Sequence, residues 1–401
     1  VGEVPTTLLG SQLVTGLIGV GIEFVRMTDE LRGRTVEAAA DTCLDVVERV
    51  EEAAVVERGV LLAILAAVVS KGHVLLEDVP GTGKTVTARV FAEALGLEFQ
   101  RIQFTPDLLP SDVTGSNVYD EHTKEFEFSR GPIFANVVLA DEINRAPPKT
   151  QAALLEAMEE GQVSVDGTTY DLPEPFVVIA TQNPIEQEGT FRLPEAQRDR
   201  FSVKTSFGYP DVDGEMALLD RRANRRTLSP SVEPVVDRAR VVELQDLAED
   251  VRVDEKVRRY IVDVARATRA DDRVDVGVSP RGVQRVFEAA RAAALVAGRR
   301  YVTPDDVKRL AETTMAHRLV LTTQATVEGV QPGDVIRDAL DSLDVPAVSP
   351  DANECADADD SAGDVDSTEP VPERPDSDGP AETDGSPRSE EPFADGRSQV
   401  D

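Results

Sequence analysis

The sequence predicts a three-layer α/β domain built on a parallel sheet, followed by a small all-α domain and a disordered acidic tail. Three observations carry this. Over residues 35–208, short continuous apolar runs alternate with amphipathic helical stretches, as expected for strands covered on both faces. After residue 208 the strand pattern gives way to helical periodicity. From about Ser349 the chain is rich in Asp, Glu, Pro, Ser and Gly and nearly free of large apolar residues, too few to bury a core. The expected segments are therefore an extension over 1–34, the α/β domain over 35–208, the helical domain over 209–345 and the tail over 346–401.

The extension holds a fairly apolar run, Leu8 to Val25, broken by Ser, Gln, Thr and several glycines. A membrane span needs about 20 strongly apolar residues, and a signal peptide needs a basic start. Neither fits, so no stable membrane insertion is expected. Met27, followed by a polar stretch, reads as a start site, with residues 1–26 an upstream extension without structural role; a weak membrane anchor is the alternative.

From Thr35 to Val69 apolar residues recur at helical spacing, predicting two helices that lead into a strand at "HVLLED". "KTVTARVFAEALG" follows, with Val86, Val90 and Ala94 on one helix face and Gly96 as a stop. "FANVVLADE" (Phe134–Glu142) and "FVVIATQN" (Phe176–Asn183) predict further buried strands, with the helix "KTQAALLEAMEEG" between them. "QVSVDGTTYDL" alternates around Asp166-Gly167, a hairpin signal. "SNVYDEHTKEFEFSRG" (Ser116–Gly131) reads as a second hairpin. In the helical domain, "VTPDDVKRLA" starts a helix with Thr303 as cap and Pro304 in the first turn.

The 401 residues carry a formal net charge of -33 and a pI near 4.4. Residues 351–401 contain 17 acidic and 3 basic side chains, which leaves -19 on the rest. Acidity spread in this way fits a salt-rich cytoplasm, where at ~1 M salt the Debye length is about 3 Å and self-repulsion is screened. A merely acidic cytosolic protein is the plainer reading. The charge argues against broad nucleic-acid binding, which needs a basic footprint. Two cysteines, Cys43 and Cys355, make no disulfide framework and suit a reducing, cytoplasmic setting. Three histidines without ligand spacing (His73, His122, His317) argue against structural zinc.

The chemistry centres on "EDVPGTGKT", Glu77 to Thr85. Its last three residues fit the phosphate-loop pattern G-x-x-x-x-G-K-[ST], but Asp78 stands where the pattern has glycine. The strand before and the helix after supply the context such a loop requires. Candidate nucleotide-binding residues are Pro80, Gly81, Thr82, Gly83, Lys84, Thr85 and Val86. Gly81 and Gly83 let the backbone curl round phosphate oxygens. Lys84 reaches the β- and γ-phosphates, and Thr85 binds Mg²⁺. Asp78 lies at the strand end and can brace the loop by accepting a backbone N–H. "VVLADE" ends in Asp141, a second candidate Mg²⁺ residue, and Glu142, placed to polarise water. "IATQNP" offers Asn183 to the γ-phosphate or the lytic water. "PEAQRDRF" offers Arg198 and Arg200, and "VSPRG" offers Arg281, as positive groups for transition-state charge.

Taken together, "HVLLEDVPGTGKT", "VVLADEINRAPPKTQAALLEAMEEGQV", "IATQNPIEQEGTFRLPEAQRDRF" and "GVSPRGVQ" resemble the MoxR family of AAA+ ATPases over roughly residues 40–345. "LEDVPG" looks like this family too, so Asp78 belongs to a working loop. The resemblance implies a P-loop AAA+ domain with a helical lid. Lys84 and Thr85 become Walker A residues, Asp141 and Glu142 Walker B, Asn183 sensor 1 and Arg281 sensor 2. Arg200 becomes the arginine finger on a neighbour's ATP; Arg198 stands where an apolar residue is more usual and is the other candidate, spacing to Phe201 favouring Arg200. "FTPDLLPSDVTGS" and its hairpin look like the helix-2 insert, and "QVSVDGTTYDL" like the pre-sensor hairpin. It also implies ATP and Mg²⁺ as cofactors, a homo-oligomeric and in expectation hexameric ring, and chaperone-like remodelling of client complexes, with partners that carry von Willebrand factor A domains.

Other functions fit less well. A magnesium-chelatase-like motor subunit shares the insert but needs a metal-insertion pathway that nothing here indicates. A nucleic-acid motor has only "RRANRR" (Arg221–Arg226) in its favour, and nearby acids offset that run. A small-molecule P-loop kinase is disfavoured by the lid arginine and the long Walker B string. Arg200 has no obvious acid partner in its own site, which suits a residue that reaches across an interface. Because the tail lacks apolar residues with which to dock, a chain ending at Val348 should keep the full-length ATPase rate and melting temperature; collapse of either would make the tail part of the machine.

Overall fold

The computed structural model describes residues 35–184, 190–191, 193–224 and 230–348. The 1–34 extension, the tail beyond residue 348 and Arg225 and Arg226 of the basic run lie outside them.

The chain opens with α1 (35–53), whose Val36, Ala39, Cys43, Val46, Val47 and Val50 recur at helical spacing and are buried. α2 (Arg58–Val69) leads into β1 (Val74–Glu77), then α3 (Lys84–Ala94) and β2 (Phe99–Gln103). α4 (Pro110–Thr114) precedes the hairpin β3 (Gly115–Asp120) and β4 (Glu125–Arg130). β5 (Val137–Asp141), α5 (Pro148–Glu160), the hairpin β6 (Gln162–Val165) and β7 (Thr168–Asp171), and β8 (Val177–Gln182) follow. The sheet closes with α6 (Glu195–Arg198) and β9 (Val203–Thr205). Its order is β2-β5-β8-β1-β9, every pair parallel.

The three central strands explain the continuous apolar runs. Val74 and Leu76 of β1, Val137 and Leu139 of β5, and Val177 and Ile179 of β8 enter one core. The residues between them, Leu75, Val138 and Val178, enter a second core on the opposite face, against α5. Alternation thus places an apolar residue on both sides at every step, and each such side chain contributes about 1.5–3 kcal/mol on burial. Two strands had no such run. β2 is an edge strand reading Phe-Gln-Arg-Ile-Gln with three of five side chains polar, and β9 is only three residues long.

The lid is α7 (Val212–Asn224), α8 (Arg238–Glu249), α9 (Glu255–Ala270), α10 (Pro280–Val296), α11 (Pro304–Met315), α12 (Thr323–Val327) and α13 (Pro332–Asp341). A short antiparallel ribbon, β10 (Val274–Val276) with β11 (Val320–Leu321), ties it together. Thr303 caps α11 as its sequence suggests; its N–H and hydroxyl both donate to Asp306 at 2.8 Å. The lid shares the first core, where Val241, Val257, Val286 and Val307 join α2 and the sheet. Its firmest polar joint is Arg318, whose side chain is 1% exposed. The guanidinium donates to the carbonyls of Asp199 (2.7 Å), Phe201 (2.6 Å) and Thr314 (2.7 Å) and pairs with the Asp199 carboxylate. Ser279 adds a bond to Asp199 at 3.1 Å. The turn before β9 is therefore held by the lid. Among the described residues no helix is long and apolar enough to cross a membrane.

His73, just before β1, is buried between α5 and β8. Its Nε2 faces the Met158 carbonyl at 3.0 Å, and its Nδ1 accepts the Val178 N–H at 3.0 Å. Burial pushes its pKa down from 6.5 to about 4. An unfolded chain thus takes up a proton below pH 6.5 that the folded chain refuses, so this stability is full above pH 6.5 and is lost as pH falls towards 4. The loss over that window is about 3 kcal/mol. Urea unfolding at stepped pH should show a shallower slope between pH 6.5 and 4 for His73→Gln than for the parent; equal slopes would remove His73 as the cause.

Candidate nucleotide site

Strand carboxyl ends are where an open α/β sheet places ligands, and the site assembles there. After β1 the chain turns through Asp78–Gly83 into α3. Gly81 and Gly83 take φ of +90° and +87°. Nothing lies within 4 Å of a Cβ built on either, so the left-handed backbone itself calls for glycine. Asp78 is buried and braces the loop. One carboxylate oxygen accepts the Val79 N–H at 2.8 Å, and the other accepts the N–H groups of Phe207 (2.9 Å) and Gly208 (3.1 Å), beyond β9. A glycine here could not tie β1 to the segment after β9, which explains the departure from the usual loop pattern. Lys84 Nζ donates to the carbonyls of Val79 (2.6 Å) and Asp78 (3.1 Å).

Asp141 ends β5. Its Oδ1 accepts the Thr181 hydroxyl at 2.6 Å, and its Oδ2 accepts Arg101 Nη2 at 2.6 Å. The same Thr181 oxygen accepts the Glu142 N–H at 2.9 Å, so one hydroxyl from β8 fixes both acids. Glu142 sits at φ +58°, ψ 48°, a left-handed conformation that costs a non-glycine residue about 1–3 kcal/mol. This turn ends the strand, and Glu142 lines the same cavity as Asp141. Glu142 Oε2 accepts Gln103 Nε2 at 2.8 Å and pairs with Arg145 at 3.2 Å.

Pro80, Gly81, Gly83, Lys84, Thr85, Val86, Asp141, Glu142 and Asn183 line one cavity of about 330 Å³ with Asp78, Thr181 and Gln182. That size lies at the small end of ligand pockets, about 300–1,000 Å³. Of the candidate loop residues only Thr82 is not part of the lining; its hydroxyl faces the Val79 carbonyl at 3.4 Å. A second cavity of about 720 Å³ adjoins it, shares Gln182 and Asn183, and is lined by Arg198.

Arg200 and Arg281 lie elsewhere. Both pair with Glu159 near the end of α5, Arg200 at 3.1 Å on Oε2 and Arg281 on Oε1. The sequence suggested no acid partner for Arg200; the pairing with Glu159 corrects that, because α5 and the turn before β9 meet only in the fold. Glu159 follows Met158, which bonds His73, and Ser202 N–H donates to the His73 carbonyl at 2.9 Å. The backbone two residues after Arg200 therefore lies beside the start of β1, and neither Arg200 nor Arg281 lines the cavity that holds Lys84.

The residues fit a nucleotide with its metal: an open glycine loop, a central lysine, and a hydroxyl and carboxylate in one cavity. Thr85 and Asp141 could hold Mg²⁺. No group of three or more His, Cys, Asp or Glu converges on a metal position among the described residues. Sequence reasoning missed Arg101, Gln103, Thr181 and Glu159. Thr181 and Glu159 lay inside quoted strings but carried no pattern of their own. Arg101 and Gln103 stand two apart and so share a face of β2, a strand the sequence did not reveal.

This architecture and loop define an ATPase domain of the AAA type. Residues 73–203 match the profile of the ATPase family associated with various cellular activities, and residues 266–339 match that of the AAA lid domain. The chain is 49% identical over 300 residues to the uncharacterized protein YeaC of Bacillus subtilis, covering 75% of this chain and 93% of that one. It is 43% identical over 295 residues to chaperone MoxR1 of Mycobacterium tuberculosis, covering 71% and 78% respectively. The crystal structure of a candidate ATPase from Cytophaga hutchinsonii superposes with a TM-score of 0.73 at 36% identity, covering 80% of this chain and 99% of that one. The chain belongs to the MoxR family of AAA+ ATPases.

Asp78→Asn should weaken the brace between the loop and residues 207–208. Bonds to a charged acceptor contribute about 1.5–3 kcal/mol. The variant should therefore unfold at lower denaturant and bind ATP less tightly, while Asp112→Asn, on an exposed helix start, should leave ATP affinity unchanged. Equal ATP affinity in parent and Asp78→Asn would remove the brace from the binding site.

Proposed function

We propose that this chain binds ATP with Mg²⁺ and hydrolyses it within a homo-oligomeric ring in the cytoplasm. The energy drives remodelling or maturation of client protein complexes. The hydrolytic part rests on one observation: the Gly83-Lys84-Thr85 loop, the Asp141-Glu142 pair and Asn183 converge from three neighbouring strand ends on one cavity. The remodelling part rests on the 43% identity to a protein named as a chaperone.

In this reading Lys84 exchanges the Val79 and Asp78 carbonyls for β- and γ-phosphate oxygens. Thr85 and Asp141 would hold Mg²⁺, which when bound would supply positive charge to the phosphates. Thr181 keeps Asp141 and Glu142 in fixed relation. Gln103 and Arg145 occupy one Glu142 oxygen and leave the other to polarise the attacking water and take its proton. Asn183 orients that water. Arg200 and Arg281 do not line their own subunit's cavity and are both engaged by Glu159, so both supply positive charge to an adjacent subunit's nucleotide. An arginine supplied in this way is worth about 10³–10⁵ in rate.

Lys84→Ala should abolish ATP binding, and Glu142→Gln should bind ATP without turnover; native turnover by Glu142→Gln would end its role in water activation. Arg200→Ala should bind ATP normally and lose most hydrolysis. Mixing Arg200→Ala with Lys84→Ala subunits should restore part of the activity, because each Arg200→Ala loop can gain an intact neighbouring arginine. Co-assembly without recovery would refute the trans arrangement.

A further inference from the structure

Glu159 is the carboxylate shared by the two arginines assigned to the neighbouring nucleotide. One oxygen takes Arg200 from the sheet domain and the other takes Arg281 from the first turn of lid helix α10. The surroundings are rich in arginine. Arg281 and Arg285 both act on buried Arg318, and Asp199 is the carboxylate that partners Arg318. Arg198 and Arg200 each have a buried Nε without a hydrogen-bond partner among the described residues. Arg285 pairs with Glu288 at 2.8 Å, so five arginines stand against the three carboxylates Glu159, Asp199 and Glu288, a local excess of positive charge in a chain of net charge -33. Such a cluster suits an incoming polyanion.

Both arms of the pair are fixed in backbone. The turn that carries Arg200 is gripped on either side by Arg318, through the carbonyls of Asp199 and Phe201. The start of α10 is held to the same Asp199 through Ser279, two residues before Arg281. Backbone anchoring alone would not order the two long side chains, and each loses about 1.5–2 kcal/mol of rotamer entropy when ordered. A single carboxylate that engages both settles this ordering before a nucleotide arrives.

We infer that Glu159 is a positioning residue that presents Arg200 and Arg281 as one aligned pair to the nucleotide of the adjacent subunit. This rests on the trans reading given above. Glu159 does not line the ATP cavity of its own subunit. Its effect belongs to the donor of the arginines, not to the subunit that hydrolyses. Misplacement of a charge-stabilising group by about 1 Å costs on the order of 10²-fold in rate.

The test uses the full chain and two donors. Arg200→Ala is the acceptor, with an intact ATP loop. Lys84→Ala and the double variant Lys84→Ala/Glu159→Gln are the donors, and co-assembly is verified for each mixture. The single-variant donor should restore ATPase activity, and the double-variant donor should restore at least about tenfold less. In a ring of Glu159→Gln alone, kcat should fall by a similar factor with ATP affinity unchanged, a split that general destabilisation would not give. Glu159→Asp keeps the charge but is too short to reach both arginines, and it should fall between parent and Glu159→Gln. Equal restoration by the two donors overturns the role of Glu159 and leaves the trans arginines standing. No restoration by the Lys84→Ala donor in co-assembled rings overturns the trans reading and the role of Glu159 with it.

Discussion

Everything in this protein depends on a central sheet whose three middle strands are apolar on both faces. Val74, Leu75 and Leu76 of β1, with their counterparts in β5 and β8, leave no room for polar chemistry within the strands. Unpaired polar groups buried at such positions cost more than one hydrogen bond returns. Function is therefore driven to the strand ends. Parallel pairing aligns those ends, so residues at or just beyond the ends of β1, β5 and β8 meet on one edge: the glycine loop, Asp141, Glu142 and Asn183. The turn that carries Arg200 leads into β9 beside the start of β1.

Polar residues at these ends are held by a few multiply bonded groups. Asp78 ties the loop to the segment after β9. Thr181 gives its hydroxyl proton to Asp141 and its lone pair to the Glu142 N–H, so the two acids cannot shift independently. Arg318 joins lid and sheet through three carbonyls and a carboxylate. Each sits in a low-dielectric setting where fully satisfied bonds strengthen one another. Such rigidity suits the hydrolysis proposed above, because in phosphoryl transfer catalysis is mostly positioning and charge stabilisation.

The shared first core of lid and sheet has a mechanical consequence. α2 and α10 pack together, and Arg318 grips the turn that bears Arg200. Any lid movement therefore bears on the arginine turn as well as on Arg281. In the ring proposed above, a shift of the lid in one subunit would move both arginines relative to the neighbouring subunit.

The sequence by itself determined the elements whose signal is local. The apolar runs of β1, β5 and β8, the helical periodicity of α1, α3 and α5, the Asp166-Gly167 hairpin and the Thr303 cap all depend on residues within a few positions of one another. The loop glycines were legible for the same reason, since a left-handed backbone demands a residue type at a single position. Edge strand β2 was not, because a strand with a solvent-facing side need not be apolar, and with it Arg101 and Gln103 were hidden. Only the tertiary structure decided which charges meet. Asp78 with Phe207 and Gly208, Arg318 with Asp199, and Glu159 with Arg200 and Arg281 are pairs of 40 to 130 positions' separation. Charge carries no sequence periodicity that names its partner; strand order and helix packing bring such residues within hydrogen-bond reach.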